Sequence, residues 1–302
     1  MNSRLEHIDN AKALGMMLII CSHVTVTEPF MHSPSFEAWC AIINSFYVPL
    51  FFLLSGIFES SHFNWTSYKR RMYKITRYVA IFAIFGFLSA GLIMHNWSLA
   101  FCLRGAGTTI WFMFTLFWIT AIFGLLKKFK FNILIVIFLS SLGYYLARTG
   151  HSYYYLGQAF LCLPFYAVGF YFKDFFKDTK FNFNILLISF LAWIVIMTYF
   201  YKSPQNVSLN IVTQYYISFY IGAIAGSVII IELCKLFKIS RLAWYGRNSI
   251  VPMLVQFDFI WFLAKLIYAD NMPSYFLLGL IACVLSGACI PVFRNKWYDV
   301  FK

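Results

Sequence analysis

Charge is scarce in this sequence. Of its 302 residues 12% are Asp, Glu, Lys or Arg, and only 11 are acidic. A water-soluble domain carries about 25% charged residues to cover its surface. A chain with half that share, 61% hydrophobic residues and a mean hydropathy of +0.73 is excluded from that class. No internal repeat, low-complexity stretch or linker interrupts it, which leaves one domain over residues 1–302 with no appended soluble unit. It has no Cys-x-x-Cys pair. Its seven cysteines are odd in number and scattered through apolar stretches or their ends, which excludes a disulfide framework and a cysteine metal site, so no metal is expected. No cleavage-site pattern follows the first apolar run, which starts near Ala11, so that run reads as a retained helix and not a signal peptide.

What is present is a series of apolar windows, each long enough for a bilayer, which takes about 20 residues per helix. They predict an all-α integral membrane protein, a bundle of about ten transmembrane helices near 11–30, 40–58, 78–95, 109–126, 131–147, 157–172, 183–201, 211–234, 248–268 and 274–293. The basic excess, 24 Lys and Arg against 11 acids and a formal charge of +13, would suggest nucleic acid in a soluble protein. Here its position gives another reading. With the N-terminus inside, 19 of these cations fall on the cytoplasmic side and only Arg104, Arg148 and Lys202 on the other. The 19 are Arg4, Lys69, Arg70, Arg71, Lys74, Arg77, Lys127, Lys128, Lys130, Lys173, Lys177, Lys180, Lys235, Lys238, Arg241, Arg247, Arg294, Lys296 and Lys302. Such asymmetry is the mark of membrane topology, so both termini are expected to be cytoplasmic and the partners to be membrane lipids, with no nucleic acid. Pro49, Pro164 and Pro252 fall inside predicted helices, where each allows a kink and a cavity beside it.

The first helix is the most informative. Lys12 and His23 are eleven steps apart, three turns plus about 20°, so they share one face. They stand about 16 Å apart along the axis, with Lys12 near the cytoplasmic surface and His23 within the bilayer. An ionisable group at that depth marks a site, and desolvated imidazole is the side chain suited to taking and returning a proton near neutral pH. The alternative is a histidine hydrogen-bonded between helices, and for Lys12 a side chain snorkelling to the interface. Asp9, three residues before Lys12, either orients that lysine or caps the helix.

A second segment runs from Pro49 through Phe51, Phe52, Ser55 and Gly56, where the small pair allows close helix approach. After it Arg70, Arg71, Lys74 and Arg77 share a face of a short helix, a cluster suited to a polyphosphate or to anionic lipid headgroups.

Together these segments resemble the acyltransferase 3 family of membrane acyltransferases, and within it the fucose 4-O-acetylase-like branch. The family's opening matches Ile8-Asp9-Asn10-Ala11-Lys12 and the Lys-x10-His spacing to His23. Its Pro-Leu-Phe-Phe-x-x-Ser-Gly motif matches Pro49 to Phe52 with Ser55-Gly56, and its Arg-x-x-Arg fits Arg71 and Lys74 with a lysine in the second place. Trp111-Phe112 matches a Trp-Phe pair opening the fourth helix. Gly246-Arg247-Asn248-Ser249 is similar to Gly-x-Asn-Ser, but seven residues after the Ser, where the family usually has His, stands Gln256.

The resemblance implies ten helices and transfer of an acyl group, most often acetyl from acetyl-CoA, to a hydroxyl of a cell-surface polysaccharide or lipid-linked glycan in a bacterial inner membrane. Lys12, Arg70, Arg71 and Lys74 then hold the donor's phosphates and the pantetheine arm lies past Gly15. His23, with Asp9, is the catalytic pair, His23 acting as general base or as acyl acceptor. Ser22, Ser55, Asn248 and Ser249 are possible oxyanion donors and Trp111 a further substrate contact, each also ordinary in helix packing. His95, Arg104, His151 and Tyr153 to Tyr155 on the outer side either meet sugar or anchor the interface. The competing class is a glycan flippase, transporter or polymerase. Against it, Glu232 and Asp258 are the only intramembrane carboxylates found.

Overall fold

The structure, a computed structural model, describes residues 5–24, 34–99, 109–129, 133–151, 153–199, 206–209, 211–212, 215–267 and 271–296. Arg4, Cys102, Arg104, Lys130, Lys202, Lys302 and the last third of the predicted 11–30 helix lie outside them. The described residues form thirteen α-helices and one 3₁₀ turn, with no strand. They are α1 Glu6–His23, α2 Pro34–Asn44, α3 Tyr47–Ile57, α4 Trp65–Met94, α5 Ile110–Lys128, α6 Ile133–Arg148, α7 Leu156–Tyr171, α8 Lys173–Lys177, α9 Phe183–Tyr199, α10 Tyr216–Lys235, α11 Ser240–Arg247, α12 Ile250–Leu266 and α13 Met272–Lys296.

Among the described residues five stretches are long and apolar enough to cross a bilayer: Ala38–Ile57, Trp65–Ile93 of α4, α5, α10 and Met272–Arg294 of α13. A sixth forms if α11 and α12, which meet at 86°, count as one broken span. α1 falls short because its first two turns carry Glu6, Asp9 and Lys12. α6, α7 and α9, at 16 to 17 residues, reach only about 25 Å against a hydrocarbon core of about 30 Å. Large apolar side chains face outward on these helices, among them Leu92 on α4, Phe138 on α6, Ile188 on α9 and Val284 on α13. In water such surface would drive aggregation. In lipid it is the required outer face, and the chain is a multi-pass membrane protein.

Several expected elements differ. The predicted 40–58 helix is interrupted at Ser45–Phe46, where the Trp193 indole donates to Ser45 Oγ (3.1 Å) and the Phe46 ring fills the space left by the missing side chain of Gly226. Arg70, Arg71, Lys74 and Arg77 are not on a separate short helix. They belong to α4, which starts much earlier because Asn64 Oδ1 caps it by accepting from Ser67 N (2.9 Å). Pro49 and Pro252 are each the third residue of a helix, just after the Ser45–Phe46 interruption and the 86° bend between α11 and α12, where a missing N–H costs the new helix no bond. Pro164 is interior to α7, as is Pro291 to α13.

Helices approach closely where glycine permits it. A Cβ on Gly56 would lie 2.0 Å from Tyr166 O, and one on Gly169 would lie 2.0 Å from Leu53 O, so α3 and α7 cross backbone to backbone at a reciprocal glycine pair. α11 likewise lies on α1 through Gly246, whose Cβ would meet Asp9 O at 1.8 Å. Gly56→Ala is therefore expected to destabilise the protein by about 2 kcal/mol or more through overpacking. Gly157→Ala, where the nearest atom is 3.5 Å away, should be close to neutral. Thermal unfolding of the two purified variants in detergent checks the contrast.

Candidate active site

α1 and α3 lie side by side and antiparallel, and the polar residues of α1 meet both ends of α3. At one end His23, the last residue of α1, lines a small cavity with Tyr47 and Phe51 of α3, Trp111 and Phe112 of α5, and Thr109 and Met253. The cavity measures about 20 Å³, room for a single water molecule. The imidazole stacks on Phe257 of α12 with ring centroids 4.7 Å apart.

Its protonation pattern follows from the amide beside it. Gln256 Nε2 donates to Met253 O (3.1 Å), which turns Oε1 toward His23. His23 Nδ1 stands 3.0 Å from that oxygen and must donate to it. The neutral ring then carries its lone pair on Nε2, the nitrogen a base or nucleophile uses. Thr109 Oγ1 donates to the same Met253 carbonyl (3.1 Å), fixing the start of α5 to α12 beside the ring.

At the other end Lys12 Nζ lies 4.7 Å above the Phe58 ring, just past α3, and 3.4 Å from Asp9 Oδ1. The next residue, Glu59, is the centre of a charged cluster. Arg71 Nη1 and Lys127 Nζ donate to its two carboxylate oxygens, and the Tyr166 hydroxyl donates to Oε2 (2.6 Å). Four helical neighbourhoods, α3, α4, α5 and α7, are tied through one side chain. Burial alone would raise the Glu59 carboxyl, but the Arg71 charge and the Lys127 and Tyr166 hydrogen bonds outweigh it and hold it below the ordinary glutamate value. That stabilisation is complete above about pH 4.3, the ordinary value, and is lost as pH falls through the lower folded-state value. Thermal unfolding followed from pH 7 downward should show midpoint falling only in the acid range, with this component missing in Glu59→Gln.

The expected site residues divide between the two ends. Trp111 is brought to His23. Asp9 is not, because fourteen residues of continuous helix put it about 21 Å away. It pairs with Lys12 and its carbonyl seats Gly246. Asn248 and Ser249 follow that glycine at the α11–α12 bend, so they lie at the Lys12 end of α1, and Asn248 Nδ2 donates to Trp244 O (2.7 Å). Ser22 Oγ donates to Ile19 O and Ser55 Oγ to Phe51 O, both within their own helices. Ser55 contributes instead through its carbonyl, which accepts from Arg71 Nη2 (3.3 Å). Arg70 and Lys74 are exposed, Lys74 lying over the Tyr78 ring (5.9 Å). No groove runs past Gly15, whose face is covered by Phe51 and Leu50 at about 3 Å from a built Cβ. The outer Tyr153–Tyr155 run is held to α5, with Trp118 Nε1 donating to Tyr154 O (3.0 Å) and Tyr155 stacked on Phe114.

The His23 imidazole thus stands at one end of the α1 face, and Lys12 with the Glu59, Arg71 and Lys127 cluster at the other. A family model described as an acyltransferase domain matches residues 5–291. The chain belongs to that acyltransferase family. None of the curated proteins or solved structures compared matches it. The match runs from the start of α1 into α13, so both ends of the site fall within the family domain, and the protein is a membrane acyltransferase.

Sequence reasoning missed Glu59, Lys127, Tyr166 and Tyr47 as site residues. Gln256, noted only for replacing a family histidine, is a positioning residue for His23. In this acyltransferase Gln256→Leu leaves Nδ1–H without its acceptor and the tautomer unfixed, so kcat should fall by about 10-fold to 100-fold. Gln256→Glu retains an acceptor and should keep most activity. Release of free thiol from an acyl-CoA by the two variants checks this.

Proposed function

We propose that this acyltransferase moves an acetyl group from cytoplasmic acetyl-CoA to a hydroxyl of a cell-surface polysaccharide or lipid-linked glycan, in a bacterial inner membrane and as a member of the fucose 4-O-acetylase-like branch. The observation that carries this reading is His23: an imidazole oriented by Gln256, with Nε2 unprotonated, on the same helix face as Lys12. A positively charged end suits a donor bearing phosphates, and a thioester is the part of that donor able to enter an apolar interior. Lys12 and Arg71 contact the phosphates, with Arg70 and Lys74 adding field from the exposed side. Phe51 must turn aside for the pantetheine arm to pass Gly15 and reach His23.

The free Nε2 serves either of two routes. As general base it takes the proton of the sugar hydroxyl while that oxygen attacks the thioester carbonyl. The tetrahedral oxyanion then collapses, expelling CoA thiolate, which recovers the proton from the imidazolium. As acyl acceptor Nε2 attacks the carbonyl itself, CoA thiolate leaves, and the sugar oxygen then displaces the neutral imidazole while its proton passes to the thiolate. With the Thr109 hydroxyl committed to Met253 O, Trp111 and Tyr47 are the side chains lining the cavity that offer a donor to an oxyanion.

In topology the reading takes ten spans with both termini cytoplasmic. The six candidate spans are joined by α1 and the short α6, α7 and α9, which cross with local thinning of the bilayer. Family membership favours this reading over transport. The direct test is purified full-length protein in lipid nanodiscs given acetyl-CoA. Thiol release accelerated by glycan and absent in His23→Ala supports acetyl transfer. Thiol release indifferent to His23 contradicts it.

A further inference from the structure

Arg71 and Lys127 are the cations nearest the Glu59 carboxylate, yet they are not equivalent. An ammonium has three donors, and those of Lys127 have three acceptors: Glu59 Oε1, Ser60 O (3.0 Å) and Ser60 Oγ (3.4 Å). Lys127 is thus committed within the protein. A guanidinium has five donors, and Arg71 places one on Glu59 Oε2 and one on Ser55 O. Arg71 lines a cavity of about 180 Å³ together with Glu59, Asn64, Ser67, Tyr68 and Lys127. Two of its five donors are thus held by protein acceptors, and three more remain to a guanidinium that lines this cavity.

We propose that Glu59, neutralised by Lys127 and steadied by Tyr166, is a positioning residue that fixes Arg71 for the phosphates of the acyl donor. This rests on the reading of Arg71 as a donor-binding cation given above. Lys127 takes one carboxylate oxygen, so Glu59 grips Arg71 without cancelling its charge, and the three groups together carry one net positive charge. Tyr166 donates to the oxygen that Arg71 also uses and limits its swing. The glycine pair that locks α3 to α7 sets Tyr166 at this height, since Gly56 abuts the Tyr166 carbonyl itself.

A positioning role and a simple charge role predict opposite signs. Removing a negative charge beside a cationic site should tighten binding of an anion if charge alone matters. If Glu59 positions Arg71, the same change should weaken it. The experiment is calorimetric titration of coenzyme A into the full-length protein in nanodiscs, with unfolding midpoints recorded for each variant. Glu59→Gln is expected to raise Kd about tenfold, the equivalent of one charge-assisted hydrogen bond. The double variant Glu59→Gln with Lys127→Met restores the original net charge and is expected to remain weak. Tyr166→Phe, which alters no charge and keeps the test in hand should Glu59→Gln not fold, is expected to raise Kd about threefold, about half that free energy. Tighter binding in Glu59→Gln with a return to the original Kd in the double variant overturns the proposal in favour of a counter-charge, and unchanged Kd in Glu59→Gln and Tyr166→Phe also overturns it. Absence of coenzyme A binding by the unaltered protein overturns the donor reading itself, and this proposal with it.

Discussion

His23→Ala is expected to lower acyl transfer by about 10³-fold, within the range that proton transfer by a positioned side chain contributes. The protein should still be inserted and folded. His23 closes a helix end, contributes one hydrogen bond and one ring stack, and is not part of the glycine crossings that hold α3, α7 and α11 in place. The loss should be in kcat at saturating donor, because the proposed function puts the donor's phosphates at Lys12, about 16 Å along α1 from His23. His23→Asn keeps a hydrogen-bonding side chain beside Gln256 but has no basic nitrogen, and should be as inactive as the alanine variant. Activity retained in His23→Asn would place His23 among structural residues.

Glu59→Ala is expected to be the most damaging single change to stability, by about 3 kcal/mol or more. Removing one partner of a buried ion pair leaves the others desolvated without compensation. Here the Glu59 and Lys127 side chains are each only 11% exposed, and Lys127 Nζ would retain just the two Ser60 oxygens. The Tyr166 hydroxyl, within the same apolar packing, would lose its acceptor too. Fluorescence-detected size exclusion after a heating series should show a midpoint several degrees lower for Glu59→Ala. The removal of Glu59 together with Lys127 should be less damaging than Glu59→Ala alone, because no ammonium is then stranded.

The parts of this arrangement that were legible in the sequence are those governed by helix period. Lys12 and His23 share a face because α1 is continuous, and eleven residues return to almost the same azimuth. Apolar windows located most helices for the same reason. The break at Ser45–Phe46 had no local signal: it is made by Trp193 and Gly226, both more than 140 residues away in sequence. α4 read as two pieces because polarity changes near Tyr78, but backbone hydrogen bonds are indifferent to side-chain polarity and the helix continues from its Asn64 cap. Glu59 was passed over because its meaning lies in partners 12, 68 and 107 residues away. Its signal was its rarity, an acid three residues after the glycine of a Ser-Gly helix crossing in a chain with 11 acids. Gln256 was read as a departure, whereas an amide in the run Val255-Gln256-Phe257 needs a polar partner in an apolar interior, and His23 is that partner.

The central claim is that His23 carries acetyl transfer to a surface glycan. Its most direct test is the mass and proton spectrum of surface polysaccharide from cells carrying the intact gene, the His23→Ala variant, or neither. The account predicts repeat units heavier by one acetyl group, with the acetyl methyl resonance, only where the intact gene is present. Equal acetylation in all three, with altered glycan amount or chain length, would contradict it.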